Sequence, residues 1–295
     1  MERTAEPPSI LALKSFLHEL LLALPGKELG ENVIEFQRFL KNVGLGDAVS
    51  LGEKGNISIE PSALPSLNLP EAARKILLYL GDQMDPVLSE LYVKLFLETY
   101  EEFRSSSEPA ANIWLGQLLR DCGGLLSGYG IIDRLPKNVK MPQLFQLMKP
   151  GSIHLRKEEK PAESYALVKE AVNYGFKAFC VTKLEPSKIR YRYGLKNSEI
   201  IWLTFKKVKE RTITPDDLAG MSSFVSSVGL GSVVLFDCFQ EIKVVNGFKG
   251  ALEFFRELRT ICAKNKSILV ISINPMKLTE EQLSALDQAL GGREK

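Results

Sequence analysis

The residue best placed to do chemistry is a carboxylate at the end of an apolar run. Asp237 directly follows the run Ser232–Phe236, whose four apolar residues are typical of a fully buried parallel strand. Parallel sheets usually bind their ligands at the carboxyl edge, which is where this run places Asp237. Asp237 is therefore the candidate ligand-binding residue, and the alternative is a strand-end carboxylate that bonds nearby amides.

A second candidate site is the segment 183–211, which holds nine basic residues against three acidic ones. Its interleaved aromatic residues are Tyr191, Tyr193, Trp202 and Phe205. Basic groups beside aromatic rings suit phosphate contact and base stacking, which predicts RNA or a ribonucleoprotein such as a ribosomal subunit as the partner. The alternative is a solvated charged surface whose aromatic residues belong to the core. The candidate contact residues are Lys188, Arg190, Arg192, Lys206, Lys207, Lys209 and Arg211.

Other chemistries find little support in the sequence. His18 and His154 lie far apart without a neighbouring acid or cysteine cluster, so we expect no metal site. The four cysteines lack CxxC spacing and three lie in apolar elements, which predicts core thiols rather than disulfides. No histidine is placed to activate Cys180 or Cys238, and no serine lies in a Gly-x-Ser-x-Gly elbow. We therefore expect neither enzymatic activity nor a cofactor.

The composition is that of a globular protein of two domains. The chain has 295 residues, of which 45% are apolar and 25% charged. No apolar run reaches the roughly 18 residues that span a bilayer, and residues 1–8 do not resemble a signal peptide, which predicts a cytoplasmic protein without membrane contact. Residues 1–150 hold 15 basic and 19 acidic side chains, whereas the remainder holds 23 and 17.

Residues 1–134 predict a mostly helical domain with one small hairpin. Because this half is net acidic and no helix has a basic face, DNA binding is disfavoured, and a docking or dimerisation module is the favoured interpretation. A linker with three prolines is predicted at 135–150. The predicted helices cover 9–24, 31–43, 70–81, 86–104 and 111–126, and the hairpin covers 48–51 and 57–59.

Residues 151–295 alternate short apolar runs with amphipathic segments, which predicts a doubly wound, mainly parallel sheet of five strands with helices on both faces. Thr214 and Thr279 each lie three residues before an acid or amide, the spacing of a capping box. The predicted strands cover 152–155, 176–182, 199–203, 232–237 and 267–273. The predicted helices cover 161–174, 186–193, 215–228, 247–264 and 279–290.

The motifs of this second domain resemble an uncharacterised archaeal family, one of the domains of unknown function, which is itself similar to degenerate RecA and KaiC-type ATPases. The motifs are Gly151–Leu155, Gly175–Thr182, Tyr193–Leu195, Ile201–Thr204, Ile213–Leu218, Val233–Asp237 and Ile271–Pro275. The resemblance covers Gly151 to about Leu290. It implies a RecA-like fold and a homodimer, since RecA-like domains commonly associate with copies of themselves.

The resemblance also implies where a nucleotide would bind. In RecA-like ATPases the strand matching 152–155 feeds a glycine-rich phosphate loop and a Lys-Ser/Thr pair. The matching stretch 156–164 contains no glycine, and its three glutamates would repel a phosphate. Asp237 occupies the position of the magnesium-orienting aspartate, with Glu241 four residues on. Without the loop, we expect no ATP hydrolysis.

These features together predict a non-enzymatic regulator or adaptor that binds a large partner. The first alternative is a nucleotide-sensing module that binds its ligand near Asp237 without hydrolysing it. The second is a signalling module whose partner docks on the helical half.

Overall fold

A computed structural model of the chain describes residues 14, 17, 36–41, 45–51, 57–59, 86–137, 139–206 and 208–291. The chain divides into two compact units, residues 1–118 with 129–139 and residues 119–128 with 140–295. In this division residues 119–128 and 140–150 belong with the second unit. The domain limits drawn from the sequence, 1–134 and 151–295 with a linker between them, stay a prediction.

The first unit combines helices with a two-stranded antiparallel hairpin, as predicted. Strands β1 (Val49–Leu51) and β2 (Ile57–Ile59) pair in the hairpin, and α1 (Pro86–Ser106), residues 108–118 of α2 (Glu108–Gly128) and α3 (Ile131–Arg134) are the helices whose bounds are described. Residues 36–41 are also helical. Trp114 stacks on Phe96 and Tyr100 with ring centroids 5.6 and 6.5 Å apart. The predicted helix 70–81 lies outside the described residues, as do most of the helices predicted at 9–24 and 31–43.

The second unit is built on a six-stranded parallel sheet in the order β3–β8–β7–β4–β5–β6. The predicted doubly wound α/β fold is confirmed. The sheet has one strand more than the five predicted, because β6 has only two residues and no apolar run that would reveal it in the sequence. Strands β7 and β8 are buried along their whole length, which is why both read as continuous apolar runs. The strands are β3 (Ile153–Lys157), β4 (Lys177–Thr182), β5 (Glu199–Leu203), β6 (Thr212–Ile213), β7 (Ser232–Phe236) and β8 (Ile268–Ile273).

Helices flank both faces of this sheet. Helix α5 packs against β4 and β7 with α6 beside it, whereas α7, α8 and α9 pack together and cover β8 and β3. None of the helices in the described ranges is long and apolar enough to cross a bilayer. The helices are α4 (Gln143–Leu147), α5 (Ala162–Asn173), α6 (Pro186–Tyr193), α7 (Leu218–Ser227), α8 (Phe239–Asn265) and α9 (Glu280–Leu290), with a 3₁₀ turn at Pro275–Lys277.

Of the two capping boxes predicted at helix N-termini, the structure contains one. The predicted capping box of Thr279 is confirmed, since its side chain and that of Gln282 bond each other's backbone amides. The prediction at Thr214 is wrong. Helix α7 starts three residues later, at an N-cap formed by Asp217, whose Oδ1 accepts a hydrogen bond from Gly220 N at 2.8 Å. Thr214 instead accepts a backbone bond from Asp217, which closes a turn before the helix.

Within the second unit, the last turns of α2 pack closely on the turn before β7 through glycines. Gly231 has a φ of +71°, and a Cβ at this position would lie 2.8 Å from the carbonyl carbon of Gly124. Gly124 in turn donates its amide to the carbonyl of Tyr174 at 3.2 Å. A side chain at position 231 would strain the backbone, which has a positive φ, and would overlap with the backbone of Gly124. This close contact between the two backbones therefore requires glycine.

Candidate functional site

The candidate site lies between the carboxyl ends of β4 and β7. These strands are neighbours, but the chain leaves β4 toward β5 and leaves β7 toward β8, in opposite directions. The crevice at such a switch point is the usual ligand position in open α/β sheets. Thr182 ends β4 and Asp237 directly follows β7, so both side chains lie at this point. The sequence therefore placed Asp237 at the correct edge, and its role toward a ligand stays a prediction.

Asp237 is a buried carboxylate that is only half satisfied. It is 7% exposed. Its Oδ2 accepts hydrogen bonds from the Tyr165 hydroxyl at 2.8 Å and from Thr182 Oγ1 at 2.9 Å. Its Oδ1 is buried and has no hydrogen-bond partner among the described residues. Both of these donors are side-chain hydroxyls from distant parts of the chain, but the nearby backbone amide of Lys183 also acts on the carboxylate. The alternative prediction, a strand-end carboxylate that bonds nearby amides, therefore stays open.

Burial raises the pKa of Asp237 to about 6, because the charged form loses its hydration. Hydrogen bonds from Tyr165 and Thr182 and the backbone amide and ammonium group of Lys183 act in the opposite direction. Burial and the nearby Asp237 charge also raise the pKa values of Tyr165, Cys180 and Cys238, so these groups stay protonated at neutral pH. Cys180 and Cys238 are thus core thiols and not activated nucleophiles.

The backbone amides at the N-terminus of α5 donate hydrogen bonds to a carboxylate of the same chain, that of Glu158. Glu158, just after β3, accepts hydrogen bonds from the backbone amides of Glu163 at 2.8 Å and Ser164 at 3.3 Å. The hydroxyls of Ser164 and, at 2.8 Å, Ser272 also donate to it. These are the helix-terminal donors that bind phosphate in nucleotide-binding folds. Glu158 therefore occupies the donors that a phosphate would need, in addition to the repulsion expected from its charge.

Among the described residues, three basic residues of the segment 183–211 form ion pairs within the unit, and two of them, Lys188 and Arg211, are predicted contact residues. Lys183 pairs with Glu241 at 3.0 Å and Lys188 with Glu185 at 3.6 Å. Arg211 pairs with Glu199 and lies over the ring of Phe224, 5.0 Å from its centroid, so it has a structural role. In the part of the chain that the structure describes, no ion pair engages Arg190, Lys206 or Lys209. The predicted contact residue Lys207 lies outside the described residues.

The aromatic residues of the segment divide into two groups. Tyr193 stacks on Tyr165, and the half-buried Trp202 donates its indole N–H to the carbonyl of Lys183 at 3.1 Å, so both support the fold. Tyr191 and Phe205, by contrast, are 93% and 66% exposed. We define the basic surface as Lys188, Arg190, Tyr191 and Arg192 on α6 together with Phe205, Lys206 and Lys209 after β5, all of which are exposed.

The structure describes the surroundings of His154 and of the four cysteines. Ser152 Oγ and His154 Nε2 share a hydrogen bond of 3.0 Å at the start of β3, and His18 lies outside the described residues. All four cysteines are buried. Within the described ranges, no three His, Cys, Asp or Glu side chains come together in a way that could hold a metal ion.

Tyr165 and Thr182 are site residues that the sequence analysis missed, and Glu158 was recognised there only as one of three glutamates that would repel a phosphate. Thr182 was the last residue of a predicted strand, so the argument that selected Asp237 applied to it as well. Tyr165 reaches Asp237 over 72 residues of sequence, and Glu158 reaches Ser272 over 114, and no local pattern indicates such pairs.

A comparison with protein-family models finds one matching domain within the second unit. Residues 157–290 match the model of a family described as "Protein of unknown function (DUF835)". A domain of that family is therefore found here, and the predicted resemblance to an uncharacterised domain family is confirmed for these residues. No curated protein matches the chain. The resemblance to RecA and KaiC-type ATPases and the archaeal origin stay predictions.

The burial of Asp237 predicts a specific dependence of stability on pH. Because the pKa of Asp237 is raised on folding, its protonated form favours the folded state, and this stabilisation is lost as pH rises through about 6. Asp237→Asn removes the titration and keeps an acceptor for Tyr165 and Thr182. At about pH 8 the variant should exceed the wild type in free energy of unfolding by up to roughly 3 kcal/mol, and by much less at about pH 4.5.

Urea denaturation at both pH values measures this difference, with Asp216→Asn as the control for loss of an exposed carboxylate. If the free energies of unfolding of the wild type and Asp237→Asn differ by the same amount at both pH values, the pKa of Asp237 is not raised on folding.

Proposed function

We propose that this protein, which carries a DUF835 domain at residues 157–290, is a non-enzymatic adaptor or regulator that binds a ribonucleoprotein, such as a ribosomal subunit, through the basic surface. The observation that carries the proposal is the exposure of Tyr191 and Phe205 beside cationic side chains. Of these, Lys188 pairs with Glu185, whereas Arg190, Lys206 and Lys209 form no ion pair within the described residues. An exposed ring of this size has no role in the core of the unit, so its contact area is available to a partner.

The chemistry of the basic surface favours RNA over a protein partner. Unstacked bases of single-stranded RNA stack on exposed aromatic rings, and Lys and Arg contact the phosphates between them. Both segments of the surface leave the sheet at the carboxyl ends of the neighbouring strands β4 and β5, so they belong to the same edge. An acidic peptide would use the cations but would leave the two rings without stacking partners.

The candidate site supports binding rather than catalysis. The amides at the start of α5 are occupied by Glu158, and Asp237 Oδ2 is occupied by two hydroxyls. A nucleotide would have to displace Glu158 before its phosphates reached the helix terminus. We therefore expect no ATP hydrolysis by the pure protein, and magnesium-dependent turnover that Asp237→Ala abolishes would overturn this part of the proposal.

The proposal includes a homodimer, which rests on the RecA-like resemblance. Sedimentation equilibrium of the full chain should give twice the mass of one chain, and a monomer at every concentration would contradict it.

A second candidate function is nucleotide sensing without hydrolysis. It is favoured by the position of Asp237 at the switch point and by the unsatisfied Oδ1, which a donor on a ligand would satisfy. Under this alternative, ATP or GTP raises the melting temperature of the wild type, because a ligand that binds only the folded state stabilises it. The adaptor proposal predicts no such rise.

Charge reversal tests the ribonucleoprotein proposal directly. Lys206→Glu with Lys209→Glu should weaken binding of the full chain to a fluorescein-labelled oligouridylate by at least about tenfold and reduce its dependence on salt, because two phosphate contacts are lost. Tyr191→Ala should weaken binding by about 1–3 kcal/mol with little change in that dependence, because it removes stacking only. Fluorescence anisotropy over a series of salt concentrations measures both quantities.

The matched control is Lys249→Glu with Lys264→Glu, which makes the same change in net charge at exposed lysines of α8. Equal losses of affinity in the two double variants would mean that net charge alone attracts RNA. No measurable binding by the wild type, either to the oligonucleotide or to purified ribosomal subunits in sedimentation, would refute the proposal.

A further inference from the structure

Both ends of α6, the helix that carries most of the basic surface, are tied to one oxygen atom of Asp237. At the N-terminal end, Thr182 Oγ1 donates to Asp237 Oδ2 and accepts the backbone amide of Leu184 at 3.1 Å. Leu184 lies two residues before the helix begins at Pro186. The path into α6 is therefore fixed by a chain of two hydrogen bonds that ends at Asp237.

The C-terminal end of α6 is tied through an aromatic pair. Tyr193, the last residue of the helix, stacks on Tyr165 with ring centroids 4.0 Å apart and an interplanar angle of 10°. Tyr165 is fully buried and donates its hydroxyl to Asp237 Oδ2. Lys169 adds a further contact by donating to the carbonyl of Gly194 at 2.9 Å.

The helix is short, and few of its own residues are buried. Only Pro186 and Ile189 of its eight residues are buried. A helix of this length is not stable alone in water, so its position must come from tertiary contacts. The Tyr165 and Thr182 hydroxyls, which meet at Asp237, are therefore among the contacts that fix α6.

We propose that Asp237 is the positioning residue of the basic surface: its Oδ2 holds α6 in the orientation that presents Arg190, Tyr191 and Arg192 to RNA. The RNA contact in this inference rests on the proposed function, whereas the hold on α6 stands by itself. Asp237 touches no RNA.

Tyr165→Phe and Thr182→Val each remove one hydroxyl and change no surface charge. In hydrogen-exchange mass spectrometry of the full chain, amides of residues 186–193 should exchange roughly tenfold faster in either variant, because one buried hydrogen bond is lost, while β8 keeps its wild-type rate. The affinity for a labelled oligouridylate should fall several-fold. Thr182→Ser keeps the hydroxyl and should restore both quantities. Tyr174→Phe, a hydroxyl deletion at the other end of α5, is the matched control.

The outcomes separate the two proposals. Unchanged exchange at 186–193 would overturn the inference, as would equal acceleration in β8, which would indicate general destabilisation. Faster exchange at 186–193 with unchanged RNA affinity would overturn the positioning role. If the wild type binds no RNA, the proposed function fails, and the exchange rates alone then decide whether Asp237 holds the helix.

Discussion

The carboxylate of Asp237 accepts two hydroxyl hydrogen bonds on one oxygen while its other oxygen stays buried without a partner. Burying this charge is unfavourable, as the raised pKa shows. The arrangement nevertheless joins β7 to α5 through Tyr165 and to β4 through Thr182. Tyr165 and Thr182 come from distant parts of the chain, so one carboxylate links α5 to the sheet edge where β4 and β7 are already paired.

A second carboxylate, that of Glu158, occupies the position at this edge where a phosphate would bind. Glu158 satisfies the amides at the start of α5, and with them the position where phosphate binds in comparable folds. The sheet thus keeps the topology of a ligand-binding fold while the chain fills its own anion position. What remains exposed nearby is the basic surface on α6 and after β5. The proposed function follows from this combination of a closed anion position and an open cationic, aromatic surface.

The sequence predicted the architecture where burial leaves a simple pattern. Strands β7 and β8 are buried on both faces, so each appears as an uninterrupted apolar run, and the charged residue after β7 was found for the same reason. The two-residue β6 and the start of α7 at Asp217 were missed because they depend on a partner strand and on a turn. No pattern in the sequence indicated the ion pair of Arg211 with Glu199 or the stacking of Tyr193 on Tyr165. Residues with a structural role in the segment 183–211 therefore could not be distinguished from exposed contact residues.

The central claim is that RNA meets this protein at the basic surface. Ultraviolet cross-linking of the full chain to ribonucleoproteins in extract, followed by mass spectrometry of the RNA-bearing peptides, tests it most directly. We expect adducts on Tyr191 and Phe205, the two exposed rings of the basic surface. RNA adducts confined to other parts of the chain, or none at all, would contradict it.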